Sequence, residues 1–195
     1  MKIAFFDFDG TITSKDSTIG FIRYFSGDLA FIIGIIILLP FLTLYKLRVI
    51  TNNSIKKIII TYFFKGISIN KFSKQAKKYS LENIDSIVRK KAYDKIQWHK
   101  DNGHTIVIVS ASIDLWLQPW CEKNNIPCIS SELEIIDQKI TGNLLNNNCF
   151  GPEKVKRINN IYKLSDYEYI YAYGNSRGDF EMLNIANEKY YKPFT

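Results

Sequence analysis

Three short apolar runs, each stopping abruptly at a polar residue, constrain this chain more than any other feature. Ile3–Phe6 runs into Asp7-Phe8-Asp9-Gly10-Thr11, Thr105–Val109 stops at Ser110, and Tyr169–Tyr173 stops at Gly174-Asn175. Runs this short and this continuously apolar are the pattern of parallel strands buried on both faces. The segments between them have helical spacing: Asp16–Phe25, Thr51–Lys65, Asn70–Lys100, Leu115–Asn124, Glu153–Leu164 and Gly178–Ala186. A short strand is expected near Pro127–Ile129, a small hairpin turning at Asp137-Gln138, and a closing strand at Tyr190-Tyr191. One strand, a long helical insertion and then alternating strands and helices predict an α/β fold. It is a doubly wound parallel sheet with an all-helical cap inserted after the first strand. The core is expected from 1–14 and 101–195 and the cap from 15–100; 195 residues suffice for both.

In an open α/β sheet, ligands bind in the crevice at the carboxyl ends of the strands. All three runs deliver their polar residues to that edge, which implies a site rather than a core. Asp7 and Asp9 repel each other unless a cation offsets part of their charge. Mg²⁺ suits the pair, because it takes oxygen ligands and shares its octahedron with water and phosphate. Read without context, the same two acids also fit a loop or a helix cap, the weaker of the two readings.

The net charge of +7 is unevenly spread. Between Leu29 and Leu81 there is no acid and there are nine bases (Lys46, Arg48, Lys56, Lys57, Lys65, Lys71, Lys74, Lys77 and Lys78), so that segment carries +9 and the remainder −2. An anionic partner is expected to meet this region. Its lysines sit among Ile and Phe with few tyrosines and no recognition motif, so no nucleic acid is expected. Cys121, Cys128 and Cys149 are odd in number and lack zinc spacing, which reads as reduced thiols. Met1-Lys2 leads directly into a strand without a cleavage site, so the catalytic part is expected in the cytoplasm.

Four motifs in order resemble those of the haloacid dehalogenase superfamily, in the subfamily with a helical first cap that includes phosphoserine phosphatase. They are Asp7-Phe8-Asp9-Gly10-Thr11, Val107-Ile108-Val109-Ser110, Lys154 within Gly151-Pro152-Glu153-Lys154-Val155, and Gly174-Asn175-Ser176-Arg177-Gly178-Asp179. The resemblance implies a Mg²⁺-dependent phosphomonoesterase with Asp7 as nucleophile and Asp9 as general acid and base. It further implies Thr11, Ser110 and Ala111 in phosphate binding, and Lys154 offsetting charge on Asp7 and the phosphoryl group. Metal ligation would fall to Asp7, Asp9, Asn175 and Asp179. Asn175 stands where the family usually carries an acid, which leaves open whether it or Asp179 touches the metal. Taken singly, Ser110 is a strand-end hydroxyl, Lys154 a solvated helix lysine and Asp179 a helix N-terminal acid. A binding protein that merely kept the fold would carry degenerate motifs, whereas Asp7, Asp9, Ser110, Lys154 and Asp179 all remain.

In such proteins the cap selects the leaving group. Asp16 falls where phosphoserine phosphatase carries a cap glutamate, so it either meets a substrate head group or caps the helix after it. Leu29–Tyr45 is 17 residues without a charge. As a helix it spans about 26 Å, short of a bilayer core, with a kink expected at Pro40. A single crossing would also separate motifs that must meet. Two readings stand: a helix buried in the cap or in a homodimer, and an apolar hairpin in the membrane interface. The second puts 29–65 in peripheral contact with the inner face of a membrane. It is similar to the apolar cap insertion of bacterial phosphatidylglycerophosphate phosphatases of this subfamily. The expected substrate is accordingly a small or lipid head-group phosphate monoester, against the alternative of a soluble amino-acid phosphatase.

Overall fold

The computed structural model describes residues 1–195. Its strands are β1 (Lys2–Phe6), β2 (Thr105–Ile113), β3 (Cys128–Ser131), β4 (Leu133–Ile136), β5 (Lys139–Leu144), β6 (Tyr169–Gly174) and β7 (Glu188–Tyr191). Five form one sheet in the order β3-β2-β1-β6-β7, every pair parallel. The motif-bearing strands β1, β2 and β6 are thus its three central members. β1 shows why its sequence is continuously apolar. Ala4 and Phe6 enter one core layer and Ile3 and Phe5 the other, because successive side chains leave a strand on opposite faces.

The helices are α1 (Ser17–Ser26), α2 (Asp28–Lys46), α3 (Asn52–Phe64), α4 (Ile69–Asn83), α5 (Lys90–Asp101), α6 (Asp114–Lys123), α7 (Pro152–Ile161) and α8 (Phe180–Asn184). α7 and α8 cover one sheet face through Ile158, Met182 and Leu183. On the other face α5 contributes Ala92 and Ile96, and α6 contributes Trp116 and Trp120. α5 is further tied to the sheet by His99, whose Nε2 lies 2.9 Å from the Tyr173 hydroxyl. His99 is fully buried there, and burial presses its pKa down to about 3.

α1 to α4 form a helical layer over the carboxyl edge of the sheet. Its centre is aromatic: Phe21 lies 5.2 Å from Phe72 and 4.7 Å from Trp116, and Phe64 lies 4.9 Å from Phe72. Trp116 belongs to α6, so this cluster fastens the helical layer to the sheet layer. Each such pair adds about 0.5–1.5 kcal/mol beyond the area it buries. The β4–β5 hairpin turns through Asp137 and Gln138, both at positive φ as a two-residue primed turn requires. It braces the same layer, since Gly66 N–H donates to Ile140 O (2.8 Å) and Ile69 N–H to Gln138 O (2.9 Å).

Two elements depart from the sequence reading. β2 does not end at Ser110 but continues to Ile113, with its register to β3 broken between Val109 and Ile113. That irregularity frees Ser110 and Ser112 from regular pairing while both stay on the strand. α2 runs unbroken through Pro40, and only Gly34 and Leu38 along it are buried. It is therefore not a buried cap helix. Gly34 marks its line of contact with α3: a Cβ there would lie 2.3 Å from the Phe63 ring.

Candidate active site

Asp7 ends β1, its N–H donating to Tyr173 O at 2.9 Å. The chain then turns. Asp9 (φ −72°, ψ 119°) and Gly10 (φ 80°, ψ −13°) are the central pair of a type II turn, whose third position demands glycine. Space makes the same demand, since a Cβ on Gly10 would sit 2.0 Å from Asn175 Nδ2. The turn and the loop after β6 thus meet in direct contact.

Lys154, from the first turn of α7, is 1% exposed. It donates three hydrogen bonds of 2.7 Å, to Asp7 Oδ1, Asp179 Oδ1 and Val109 O. Its three N–H groups are fully used, and it joins the ends of β1, β2 and β6. The other Asp7 oxygen, Oδ2, accepts from the Thr11 hydroxyl at 2.8 Å. Thr11 lies behind the carboxylate, outside the lining of the cavity described below. Its hydroxyl is given to a contact that orients Asp7.

Asp179 is similarly occupied. Its Oδ2 accepts from Asn175 N–H (3.0 Å), Ser176 N–H (2.9 Å) and the Ser176 hydroxyl (2.9 Å). With Lys154 on Oδ1 and the loop on Oδ2, Asp179 acts as a brace. Asn175 Oδ1, by contrast, is buried without a hydrogen-bond partner. An orphaned buried amide oxygen costs about 1–3 kcal/mol unless something else meets it. No three His, Cys, Asp or Glu side chains converge on one point here, so an ion would take a mixed oxygen set: the Asp7 carboxylate, the Asp9 carbonyl and Asn175 Oδ1. That set fits Mg²⁺, a hard cation that keeps water in its shell.

Asp9 points toward the helical layer. Its Oδ1 accepts from Ser17 N–H at 2.6 Å and its Oδ2 accepts from the Ser112 hydroxyl. Ser110 Oγ accepts from Ser112 N–H at 3.0 Å, leaving its own O–H free to donate into the cavity. Burial raises Asp9 to about 7, reinforced by the Asp16 charge and opposed by the Ser112 bond. Asp7 is pushed up to about 6 by burial, against the pull of Lys154 and with the repulsion of Asp179. Burial would lower the Lys154 ammonium, but the two carboxylates outweigh it and hold it above its ordinary value. Asp179 is held low despite its burial, by Lys154 and then Ser176.

These groups line one end of a cavity of about 450 Å³ that includes Asp7, Asp9, Ser110, Ala111, Lys154, Asn175 and Asp179. Its other end is apolar, with Phe31, Leu38 and Leu42 from α2 and Ile55, Ile59 and Phe63 from α3. Between the two stand Asp16 and Lys56. Asp16 accepts from Ile19 N–H at 2.9 Å as the cap of α1, and it also lines the cavity. Lys56 is half-buried, 6.0 Å above the Trp116 ring, and burial lowers its pKa against the attraction of Asp16 and Asp9.

Sequence reasoning missed Ser112, Ser17 and Lys56. Ser112 was detectable, because it stands two residues beyond Ser110 and alternation puts both on one face of β2. Lys56 carried no signal beyond its place in the acid-free segment.

The haloacid dehalogenase-like hydrolase family matches residues 4–184 of this chain. Protein CicA of Caulobacter vibrioides is 33% identical over 191 residues, covering 97% of this chain and 85% of CicA. A Bordetella pertussis Tohama I protein of unknown function superimposes with a TM-score of 0.84 at 19% identity, over 96% of this chain and 88% of that one. A substrate-bound phosphoserine phosphatase does so with a TM-score of 0.69 at 19% identity, over 97% and 85%. The two structural likenesses extend over the sheet and the helical layer alike.

Proposed function

Because the chain belongs to the haloacid dehalogenase-like hydrolase family, we propose that it is a Mg²⁺-dependent phosphomonoesterase working through an aspartyl-phosphate on Asp7. The observation that carries this reading is the buried Lys154 bridge between Asp7 and Asp179, set beside the unpartnered Asn175 oxygen. A lysine so held keeps a carboxylate ionised and aimed, and offsets charge as a phosphoryl group arrives. A purely structural ion pair has no use for an orphaned amide oxygen next to it.

In the first step an Asp7 oxygen attacks phosphorus and the ester P–O bond breaks. Asp9 gives its proton to the departing alcohol oxygen. In the second step Asp9 takes a proton from water, whose oxygen attacks the same phosphorus. The acyl-phosphate P–O bond breaks, releasing inorganic phosphate and restoring both acids. Asp9 suits this exchange because its pKa of about 7 lets it both give and take a proton near neutrality. The free Ser110 hydroxyl donates to a phosphoryl oxygen. Asp7, the Asp9 carbonyl and Asn175 would hold Mg²⁺, which when bound supplies positive charge to the transferring phosphoryl group.

The cavity shape favours a phosphate monoester with an apolar portion, such as a lipid head-group phosphate. Its apolar end is far larger than a serine side chain needs. Asp16 and Lys56 form a charged pair of opposite sign between the two ends, and this favours a phospho-amino acid as the second reading. A phosphatase screen with Mg²⁺ over phospho-amino acids, sugar phosphates and lipid phosphates separates them. Asp7→Asn should abolish turnover of every substrate while the fold persists; full activity in that variant would overturn the mechanism.

A further inference from the structure

We propose that the outer face of α2 docks on an anionic lipid bilayer, so that the catalytic cavity opens beside the membrane. Docking itself is independent of the phosphatase reading; only the use made of the opening rests on it.

Phe31, Gly34, Leu38, Leu42 and Tyr45 form the stripe of α2 turned toward the body. At 100° per residue they occupy about a quarter of the helix circumference. The rest is apolar and uncovered, with Leu29 74%, Ile36 64% and Leu39 56% exposed. The only acid on the helix, Asp28, is neutralised by Arg23 at 2.5 Å. The hydroxyl of Thr43 is folded onto Leu39 O at 2.9 Å. Between Leu29 and Leu44 no polar side chain on the outer face therefore asks for water. A helix apolar all round calls for an apolar surrounding.

Three observations choose a bilayer over a second copy of the chain. The uncovered arc is about two-thirds of the circumference, which hydrocarbon can wrap and one packed partner cannot. The exposed Lys46 ends the helix and the exposed Arg48 follows it, within the acid-free segment, and both match anionic head groups. Ile35 both lines the cavity and is 37% exposed, so the apolar end of the cavity reaches the same surface. The helix lies on the membrane and does not cross it. α1 before it and α3 after it meet in one core, with Phe21 and Phe64 5.7 Å apart, so both ends of α2 stay on one body.

The test is flotation of the full chain with phosphatidylcholine vesicles, with and without phosphatidylglycerol. Binding should favour the anionic vesicles and weaken with added salt. Ile33→Glu with Ile36→Glu should weaken it by at least about tenfold for each residue. Turnover of soluble p-nitrophenyl phosphate should stay unchanged in that double variant, which also shows that it folds. Lys46→Glu with Arg48→Glu should remove the preference for anionic vesicles. Asp7→Asn should float like the parent, so a failed phosphatase reading leaves the docking result intact. Absence of flotation with both vesicle types would overturn the proposal. So would a dimer in solution that the two Ile→Glu changes dissolve, which would give this face to a second copy.

Discussion

Lys154→Met removes the buried ammonium while keeping an unbranched chain of similar reach, so little cavity opens. What is lost is the set of three 2.7 Å bonds to Asp7, Asp179 and Val109 O. Two buried carboxylates then face each other without a cation. Removing one partner of a buried ion pair costs about 3–5 kcal/mol, which for a domain of this size lowers Tm by roughly 6–20 °C. The loss should depend on pH in a defined direction. Asp7 already titrates near 6, above its ordinary 3.8, and without Lys154 it rises further. A carboxyl raised in the folded state is harmless below its unfolded value, and its penalty grows as pH climbs through the folded value. Asp179, which Lys154 holds low, loses its partner at both pH values, so part of the deficit is already present near pH 5, and the Asp7 share should add to it by pH 8. Urea unfolding followed by circular dichroism in EDTA at both pH values measures it. A deficit below about 1 kcal/mol, or one equal at both pH values, would refute the electrostatic argument. Asp7→Asn in the Lys154→Met background should recover part of the loss, because it removes one of the stranded charges.

Gly10→Ala should cost about 1–3 kcal/mol and disturb the site, since φ is 80° and the new Cβ falls 2.0 Å from Asn175 Nδ2; thermal unfolding and turnover read both effects. Asn175→Asp should lower the Mg²⁺ concentration for half-maximal turnover on the order of tenfold, because it adds a carboxylate at the orphaned oxygen; an unchanged requirement would remove Asn175 from the ligand set. Asp9 is protonated below about 7, so turnover of an alkyl phosphate, whose leaving oxygen needs a proton, should fall as pH rises past that value. A p-nitrophenyl ester needs no such proton and should hold its first-step rate, while Asp9→Asn should flatten the alkyl profile.

The sheet was legible in the chain because burial on both faces is written locally, as short runs with no polar alternation. β1 and β6 end within a residue of those runs, and the four motifs singled out Asp7, Asp9 and Lys154, which line one cavity. The hairpin at Asp137-Gln138 was equally readable, since turn chemistry is also a property of neighbouring residues. The limits appear where a residue's role depends on what meets it from far away. Lys154 reaches Asp7 across 147 positions, and only the folded chain shows that it spends its other bonds on Asp179 and Val109. That count shows both Asp179 oxygens engaged by the protein, while Asn175 Oδ1 has no partner. Thr11 behind Asp7 and Lys56 over Trp116 are likewise products of packing.

α2 marks the division most plainly. By itself the sequence determined a long, uncharged helix in a basic segment, because composition and spacing are local. Whether such a helix is buried or bare was decided by tertiary structure alone. An all-round apolar helix looks the same in either setting, and only the narrow stripe of Gly34 and Leu38 against α3 shows how little of it the protein covers.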